Sequence, residues 1–141
     1  MNKTRWVVAS VMVAVVVTIL ESIFHGVLLK GIYEATAQVW RPYADMQRLT
    51  PYGWLSTLFT SFILVYIYHK GYEGKGNSLA EGLRFGIIMG FFTATPMAVW
   101  SYITIPMPIN LSVYWFLIGM LDMLVAGTVV GLIYKRKASA A

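Results

Sequence analysis

Four long apolar stretches dominate this chain of 141 residues and constrain its fold more than any other feature. Each is long enough to cross the hydrocarbon core of a bilayer as a helix, which takes about 20 residues. We place the spans at about residues 6–29, 51–68, 79–104 and 112–134, with a loop at residues 30–50. Because the chain has too few candidate strands to close a barrel, we predict an all-α integral membrane four-helix bundle that forms one domain over residues 1–141.

Local signals mark the starts of two of these helices. Thr50 is a candidate N-cap, and Pro51 suits the first position of the second helix. Ser78, followed three residues later by Glu81, matches a capping box at the start of the third helix. The second helix is therefore predicted to begin near Pro51 and the third near Leu79.

Composition excludes several classes of function. The chain contains no cysteine, which removes disulfides, thiolate metal sites, iron–sulfur clusters and thiol nucleophiles. Apolar residues make up 58% of the chain and charged residues 12%, far from the balance of a soluble domain. The net charge of +5 comes from residues at the ends of the spans, where they orient helices, so we do not expect nucleic acid as a partner.

The positive residues also predict how the helices are oriented. Of the 11 lysines and arginines, most fall on the side of the bilayer that carries both termini, namely Lys3, Arg5, Lys70, Lys75, Arg84, Lys135, Arg136 and Lys137. The other side carries Lys30, Arg41 and Arg48. Under the positive-inside rule both termini are cytoplasmic, and the loop at residues 30–50 lies on the outer face.

Small residues recur every four positions in the last two spans. They are Gly82, Gly86, Gly90 and Ala94 in the third span, and Gly127 and Gly131 in the fourth. Residues of this size at this spacing let helix backbones approach closely in lipid. With the orientation above, they predict tight and dry helix contacts in the cytoplasmic half of the bundle.

Two of the apolar stretches contain ionisable residues. Glu21 and His25 lie in the first span, four residues apart on one helix face, and Asp122 lies in the fourth. Inside a membrane such groups face a protein interior or a wet cavity, which makes each a candidate functional residue. Helix rise places Glu21 and His25 about 12 and 6 Å below the outer end of their span, and Asp122 about 15 Å below the outer end of its own.

Four hydroxyl side chains fall at a similar depth in the other two spans, about 12–17 Å from the outer end. They are Thr60 and Ser61 in the second span, and Thr93 and Thr95 in the third. We therefore predict a bundle that is pinched at its cytoplasmic end and opens outward around a polar pocket.

Three interpretations of Glu21, His25 and Asp122 are open. These residues form a hydrogen-bonded set that fixes the first helix to the fourth, or they handle a proton or solute, or they bind a metal ion such as zinc, manganese or iron. A haem cannot use both His25 and His69, which lie about 20 Å apart in depth. A haem or pigment would therefore take a second ligand from a partner chain.

Several short segments together resemble a known group of proteins. They are Phe24-His25-Gly26, Tyr33-Glu34-Ala35-Thr36-Ala37, Trp40-Arg41-Pro42, Lys70-Gly71-Tyr72-Glu73-Gly74-Lys75-Gly76, Glu81-Gly82-Leu83-Arg84-Phe85-Gly86 and Ile105-Pro106-Met107-Pro108. With these segments the chain resembles, over nearly its whole length, small uncharacterised four-span bacterial membrane proteins. The resemblance implies a multi-pass protein of the bacterial inner membrane. It implies no activity, substrate or catalytic residue.

These observations favour an accessory or structural subunit of a larger bacterial membrane complex, for example an energy-converting one. Its partners would be membrane lipid and either other membrane subunits or further copies of the chain. The alternative is a small oligomeric carrier or channel, linked to protons or metal ions, that uses Glu21, His25 and Asp122. A membrane-embedded metalloenzyme comes last, because the sequence lacks a clear set of three or four metal ligands on neighbouring helical turns.

Overall fold

The computed structural model describes residues 2–73 and 77–133, and within these ranges the chain is helical with no strand. The elements are α1 (Lys3–Ile23), a π-helical segment (Phe24–Leu28), α2 (Lys30–Ala35), a 3-10 turn (Ala37–Val39), α3 (Tyr43–Gly71), α4 (Ser78–Thr104) and α5 (Ile109–Ile133). The all-α prediction is confirmed. The end of the predicted fourth span at residue 134, and the basic residues Lys75, Lys135, Arg136 and Lys137, lie outside the described residues.

Three helical segments are long and apolar enough to cross a membrane, namely Lys3–Leu28, Ser78–Thr104 and Ile109–Ile133. The helix α3 is not among them, although its 29 residues give it a length of about 43 Å. Tyrosines, serines and threonines are interspersed with its apolar residues and lower its mean hydropathy.

Two predicted helix starts differ from the structure. Because α3 begins at Tyr43, the N-cap assigned to Thr50 is wrong, and Pro51 lies inside the helix. Asp45 in the first turn favours the earlier start, since a negative charge there interacts well with the helix dipole. Much of the predicted loop at residues 30–50 is consequently helical. The start of α4 is close to the prediction, but its cap is Asn77, whose side-chain oxygen accepts a hydrogen bond of 2.9 Å from the Leu79 amide.

The four long helices pack in the order α3, α1, α5, α4, because α1 has extended contacts with α3 and α5, and α5 with α1 and α4. One apolar cluster joins the start of α1 to the ends of α3 and α5, and its buried members are Ala9, Val13, Leu64, Val65, Tyr68, Ala126 and Val130. Phe85 near the start of α4 packs against this cluster. We call this side of the molecule the Val130 end.

A second apolar cluster lies at the opposite side, which we call the Leu111 end. It joins the end of the first helical segment to the start of α5, and its buried members are Leu29, Met107, Leu111 and Ile118. The helices α1 and α5 are therefore antiparallel neighbours with an apolar cluster at each end of their contact.

The contact between α4 and α5 is lined with small residues along its whole length. A Cβ atom added to Gly82 would overlap the carbonyl oxygen of Gly127, and one added to Gly127 would overlap that of Gly82. A Cβ added to Gly86 or Gly131 would likewise overlap a carbonyl oxygen of the facing helix, and one added to Gly90 would meet the side chain of Met120. These three glycines and Ala94 are all buried.

This contact is longer than the sequence predicted. A Cβ on Gly119 would lie 2.8 Å from that of Ala94, and further along the Ser112 hydroxyl donates to the carbonyl of Ala98 at 2.9 Å. Close packing of α4 and α5 therefore reaches the Leu111 end and is not confined to one half of the bundle.

The helix α3 leaves the rest of the bundle toward the Leu111 end. Its buried residues, Ser61, Leu64, Val65 and Tyr68, all lie in its second half, whereas residues 43–56 are exposed throughout. The bundle is therefore closed at the Val130 end by all four long helices and is open on the side from which α3 departs.

Candidate functional site

The side chains of Glu21 and His25 are in contact where α1 passes into the π-helical segment. The distance from His25 Nε2 to Glu21 Oε2 is 3.2 Å. Their separation of four residues places both side chains on one face of the helix. Both lie within the apolar segment Lys3–Leu28, yet 46% of the Glu21 side chain and 32% of the His25 side chain are exposed.

The Tyr33 hydroxyl is hydrogen-bonded to the other ring nitrogen of His25. The Tyr33 hydroxyl lies 2.5 Å from His25 Nδ1, and the indole N–H of Trp115 donates to the same hydroxyl at 2.8 Å. An indole N–H can only donate, so the tyrosine oxygen accepts from Trp115. In the neutral tautomer of His25 that carries its hydrogen on Nε2, Nε2 donates to Glu21 and Nδ1 accepts from the Tyr33 hydroxyl.

The π-helical segment makes this arrangement possible. The amide of Leu29 donates to the carbonyl of Phe24 at 2.8 Å, which spans five residues where an α-helix spans four. The chain then turns, and the amides of Ile32 and Tyr33 both donate to the carbonyl of Leu29. As a result α2 brings Tyr33 back to stack on His25, with ring centroids 5.8 Å apart.

Asp122 approaches the same pair from α5. Only 3% of this residue is exposed, and its carboxyl group faces that of Glu21. No N–H or O–H group of the described residues donates to Asp122 Oδ1. Glu21 thus lies at the centre of the site, between Asp122 and His25.

Aromatic rings cover this network toward the Leu111 end. The Trp40 ring lies 5.5 Å from that of Tyr33 and 6.0 Å from that of Trp115, and its N–H donates to Thr36 Oγ1 at 2.9 Å. Burial under these rings raises the pKa of the Tyr33 hydroxyl, which the Trp115 hydrogen bond lowers in part and the charge of Glu21 raises again. The phenol therefore keeps its proton at neutral pH.

The predicted hydroxyl residues do not join the site. Thr60, Thr93 and Thr95 are exposed, and the Thr93 hydroxyl donates to the carbonyl of Met89 on its own helix at 2.8 Å. Ser61 is buried, but its hydroxyl donates to the carbonyl of Thr57 on its own helix at 2.8 Å. Hydroxyl side chains commonly satisfy themselves in this way, so their depth in a helix does not fix the direction in which they point.

The predicted three-ligand metal site does not form either. In the part of the chain that the structure describes, no three histidine, cysteine, aspartate or glutamate side chains converge so that they could hold a metal ion. Both ring nitrogens of His25 are engaged within the chain, one by Glu21 and one by Tyr33. A metal ion or a haem iron would have to displace one of these contacts.

A cavity beside the site is apolar, whereas the sequence predicted a polar pocket. This groove has a volume of about 360 Å³ and runs between the first helical segment and α5. It is lined by Phe24, Leu28, Leu29, Ile32, Tyr114, Leu117, Ile118 and Leu121. Asp122 does not line it, because Asp122 faces Glu21 from a different side of α5.

The structure therefore brings together Glu21, His25 and Asp122 from the sequence-predicted set, and adds Tyr33 and Trp115. Trp115 precedes Asp122 by seven residues, which is two helical turns, and this spacing could have identified it. The position of Tyr33 depends on the chain reversal after the π-helical segment, for which the sequence carries no comparable signal.

Comparison of the chain with protein-family models, with curated proteins and with solved structures found no match.

Proposed function

We propose that this chain is a four-span protein of the bacterial inner membrane that serves as an accessory subunit of a larger membrane assembly. The fourth span is α3. At the Val130 end, Ala9 near the start of α1 meets Tyr68 near the end of α3, and Phe85 near the start of α4 packs against them. If α1 crosses the bilayer, α3 has to return the chain to the same side before α4 begins.

The distribution of positive charge supports the orientation. Lys3 and Arg5 lie in the first turn of α1 at the Val130 end, whereas Lys30 and Arg41 lie beyond the other end of the first helical segment. With the positive-inside rule applied to the whole sequence, the Val130 end is cytoplasmic and the Leu111 end faces outward.

The main support for a larger assembly is the exposure of the Glu21 and His25 side chains. A glutamate with 46% of its side chain uncovered cannot face hydrocarbon at this depth without a large cost, since charged and polar groups inside membranes face protein or water. The isolated chain does not cover it, so we infer that a partner subunit does.

The free half of α3 provides a second surface for that partner. Tyr52, Trp54, Leu55 and Phe59 are exposed by 71, 57, 63 and 67%, and a glycine, a serine and a threonine lie between them. Because apolar and polar residues alternate on this part of the helix, contact with another protein suits it better than contact with lipid alone.

Photo-crosslinking in native membranes tests the proposal. A photoreactive phenylalanine analogue at Thr18, one turn before Glu21 and half-buried, should crosslink to a different polypeptide. The same analogue at Ile19, which is 53% exposed on the neighbouring face of the helix, is the matched control and should react only with lipid.

Two outcomes would contradict the proposal. Products at Thr18 that contain lipid alone would mean that no partner covers the site. Products that contain only a second copy of the chain would favour the oligomeric carrier over an accessory subunit. The metal-ion carrier and the metalloenzyme gain no support from the site, because its carboxylates and imidazole do not converge on one point.

A further inference from the structure

Four polar side chains follow one another along the apolar segment Lys3–Leu28, namely Thr18, Glu21, Ser22 and His25. Their spacing of three and four residues places them on one side of the helix. We propose that this side receives an arginine or lysine from a transmembrane helix of the partner subunit, and that this basic side chain pairs with Glu21. The inference rests on the proposed function, because it names the chemical group with which the partner covers the site.

Glu21 has no strongly basic neighbour within the described part of the chain. There, no lysine or arginine lies within ion-pair distance of Glu21 or Asp122. The nearest one in sequence, Lys30, pairs instead with Glu34 at 3.8 Å. The Nε2 atom of His25 lies 3.2 Å from Glu21 Oε2, but a neutral imidazole supplies one hydrogen bond and no charge. The charge of a Glu21 carboxylate is therefore not balanced by this histidine.

A second carboxyl group that lacks a donor lies on the facing helix. The Trp115 ring lies 6.2 Å from the ring of His25, and Asp122 follows Trp115 by seven residues on the same side of α5. Because α1 and α5 are antiparallel, the steps from His25 to Glu21 and from Trp115 to Asp122 both lead toward the Val130 end. Asp122 is 3% exposed, and its Oδ1 accepts no hydrogen bond from the described residues. The region around Glu21 is thus rich in acceptors and short of donors.

Charge complementarity identifies the group that this region lacks. Ionisable groups inside a membrane pair with one another or face water. Arginine and lysine carry a positive charge and hydrogen-bond donors only, and the planar fork of arginine matches the geometry of a carboxylate. Lipid tails offer no donor, and head groups lie outside the hydrocarbon core, whereas helix rise places Glu21 about 12 Å below the outer end of its span. A basic side chain on a neighbouring helix meets both requirements.

The exposure of the site allows such a side chain to approach from a neighbouring helix. The Glu21 side chain is 46% exposed and that of His25 is 32% exposed. Ser22 is exposed too, but its hydroxyl donates to the Thr18 carbonyl at 2.7 Å and needs no acceptor from the partner. Tyr33 holds the other ring nitrogen of His25 by a hydrogen bond. The imidazole is therefore fixed from within the chain, while Glu21 remains accessible to the partner.

The photo-crosslinked product at Thr18 gives the first test. Mass spectrometry of this product should identify a partner peptide that carries an arginine or lysine inside its apolar span, within about two helical turns of the attached residue. A partner peptide with no basic residue in that range would overturn the ion pair and leave the accessory role intact. A product that contains lipid alone would overturn both.

Glu21→Gln gives the second test, because it keeps the volume and hydrogen bonding of the side chain but removes its charge. In membranes solubilised with a mild detergent and diluted, it should lower the yield of the Thr18 crosslink about tenfold or more, as the loss of a hydrogen bond between charged groups predicts. Glu34→Gln is the matched control, since Glu34 lies outside the span with 67% of its side chain exposed, and the yield should not change. Thermal unfolding establishes that both variants are folded.

A wild-type yield from folded Glu21→Gln would overturn the ion pair, even where the crosslink shows that the partner is present. If that variant does not fold, replacement of the partner's basic residue with glutamine removes the same pair and leaves this chain unaltered. The yield should again fall about tenfold or more, and an unchanged yield would overturn the pair. Glu21→Lys should abolish the crosslink, and a glutamate in place of the partner's basic residue should restore it.

Discussion

The helix α5 packs against α4 and α1 by different means. Against α4 it presents small residues, and the backbones are so close that a Cβ on Gly82 or Gly127 would overlap a carbonyl oxygen. Against α1 it presents larger side chains, with Asp122 facing Glu21 between two apolar clusters. The first contact depends on the close fit of two backbones, whereas the second includes a buried carboxyl group.

The two faces of α5 therefore have different roles. Close backbone contact in lipid holds helices together without any titratable group. The α1–α5 contact, in contrast, includes the buried carboxyl group of Asp122. Substitutions in the two contacts test this division.

Gly82→Leu should have the largest effect. The new side chain would meet the backbone of Gly127 and not a movable side chain, so we expect a loss of more than about 3 kcal/mol and little folded protein in the membrane. Gly53→Leu is the matched control, because Gly53 is also in a helix and has nothing within 4 Å of an added Cβ. The yield and unfolding of both variants measure the difference. Equal stability would show that α4 and α5 are not in close contact.

Asp122→Leu should have an intermediate effect. It leaves Glu21 without its carboxyl partner, and we expect a loss of about 2 kcal/mol, the usual contribution of a hydrogen bond to a charged group. Asp122→Asn retains a hydrogen-bond donor of similar volume and should cost much less. Unfolding in mixed micelles compares the two. A leucine variant as stable as the wild type would mean that the α1–α5 contact does not depend on this polar pair.

The smallest expected effect is a change in the stability of the folded protein at alkaline pH. The pKa of Tyr33 is raised above 10.0 in the folded protein, so the folded state binds more protons than the unfolded state above that pH. Stability from this group is therefore complete below about pH 10 and is lost as the pH rises through the folded pKa. The wild type should lose more stability than Tyr33→Phe between about pH 9 and pH 11, as measured by unfolding at each pH. Parallel curves for the two proteins would contradict the burial of this hydroxyl.

The two contacts of α5 also differ in how well the sequence predicts them. The spacing of Gly82, Gly86 and Gly90 identifies a close helix contact, because one face of a helix repeats at this interval. Gly119 was missed, since a lone glycine has no such pattern around it. For the site, spacing predicts that Glu21 and His25 are neighbours, and helix rise places Asp122 at a comparable depth.

The depth of a residue along its helix does not by itself predict whether its side chain reaches the site, as Thr60, Thr93 and Thr95 show. They lie near the predicted depth but are exposed, because rotation about the helix axis decides which way a side chain points. The sequence also does not predict the direction of α3. Its early start at Tyr43 follows from residues that the sequence pattern assigned to a loop, and its departure from the bundle depends on tertiary packing.

Because of the π-helical segment Phe24–Leu28, the geometry of the site depends on how many residues separate Glu21 from Tyr33. Each residue advances a helix by about 100°, so a single deletion within this segment would turn all that follows by that angle relative to Glu21. Every side chain of the site would still be present, yet Tyr33 would no longer meet His25. The interval between Glu21 and Tyr33, counted in residues, is thus as much a part of the site as the identity of either residue.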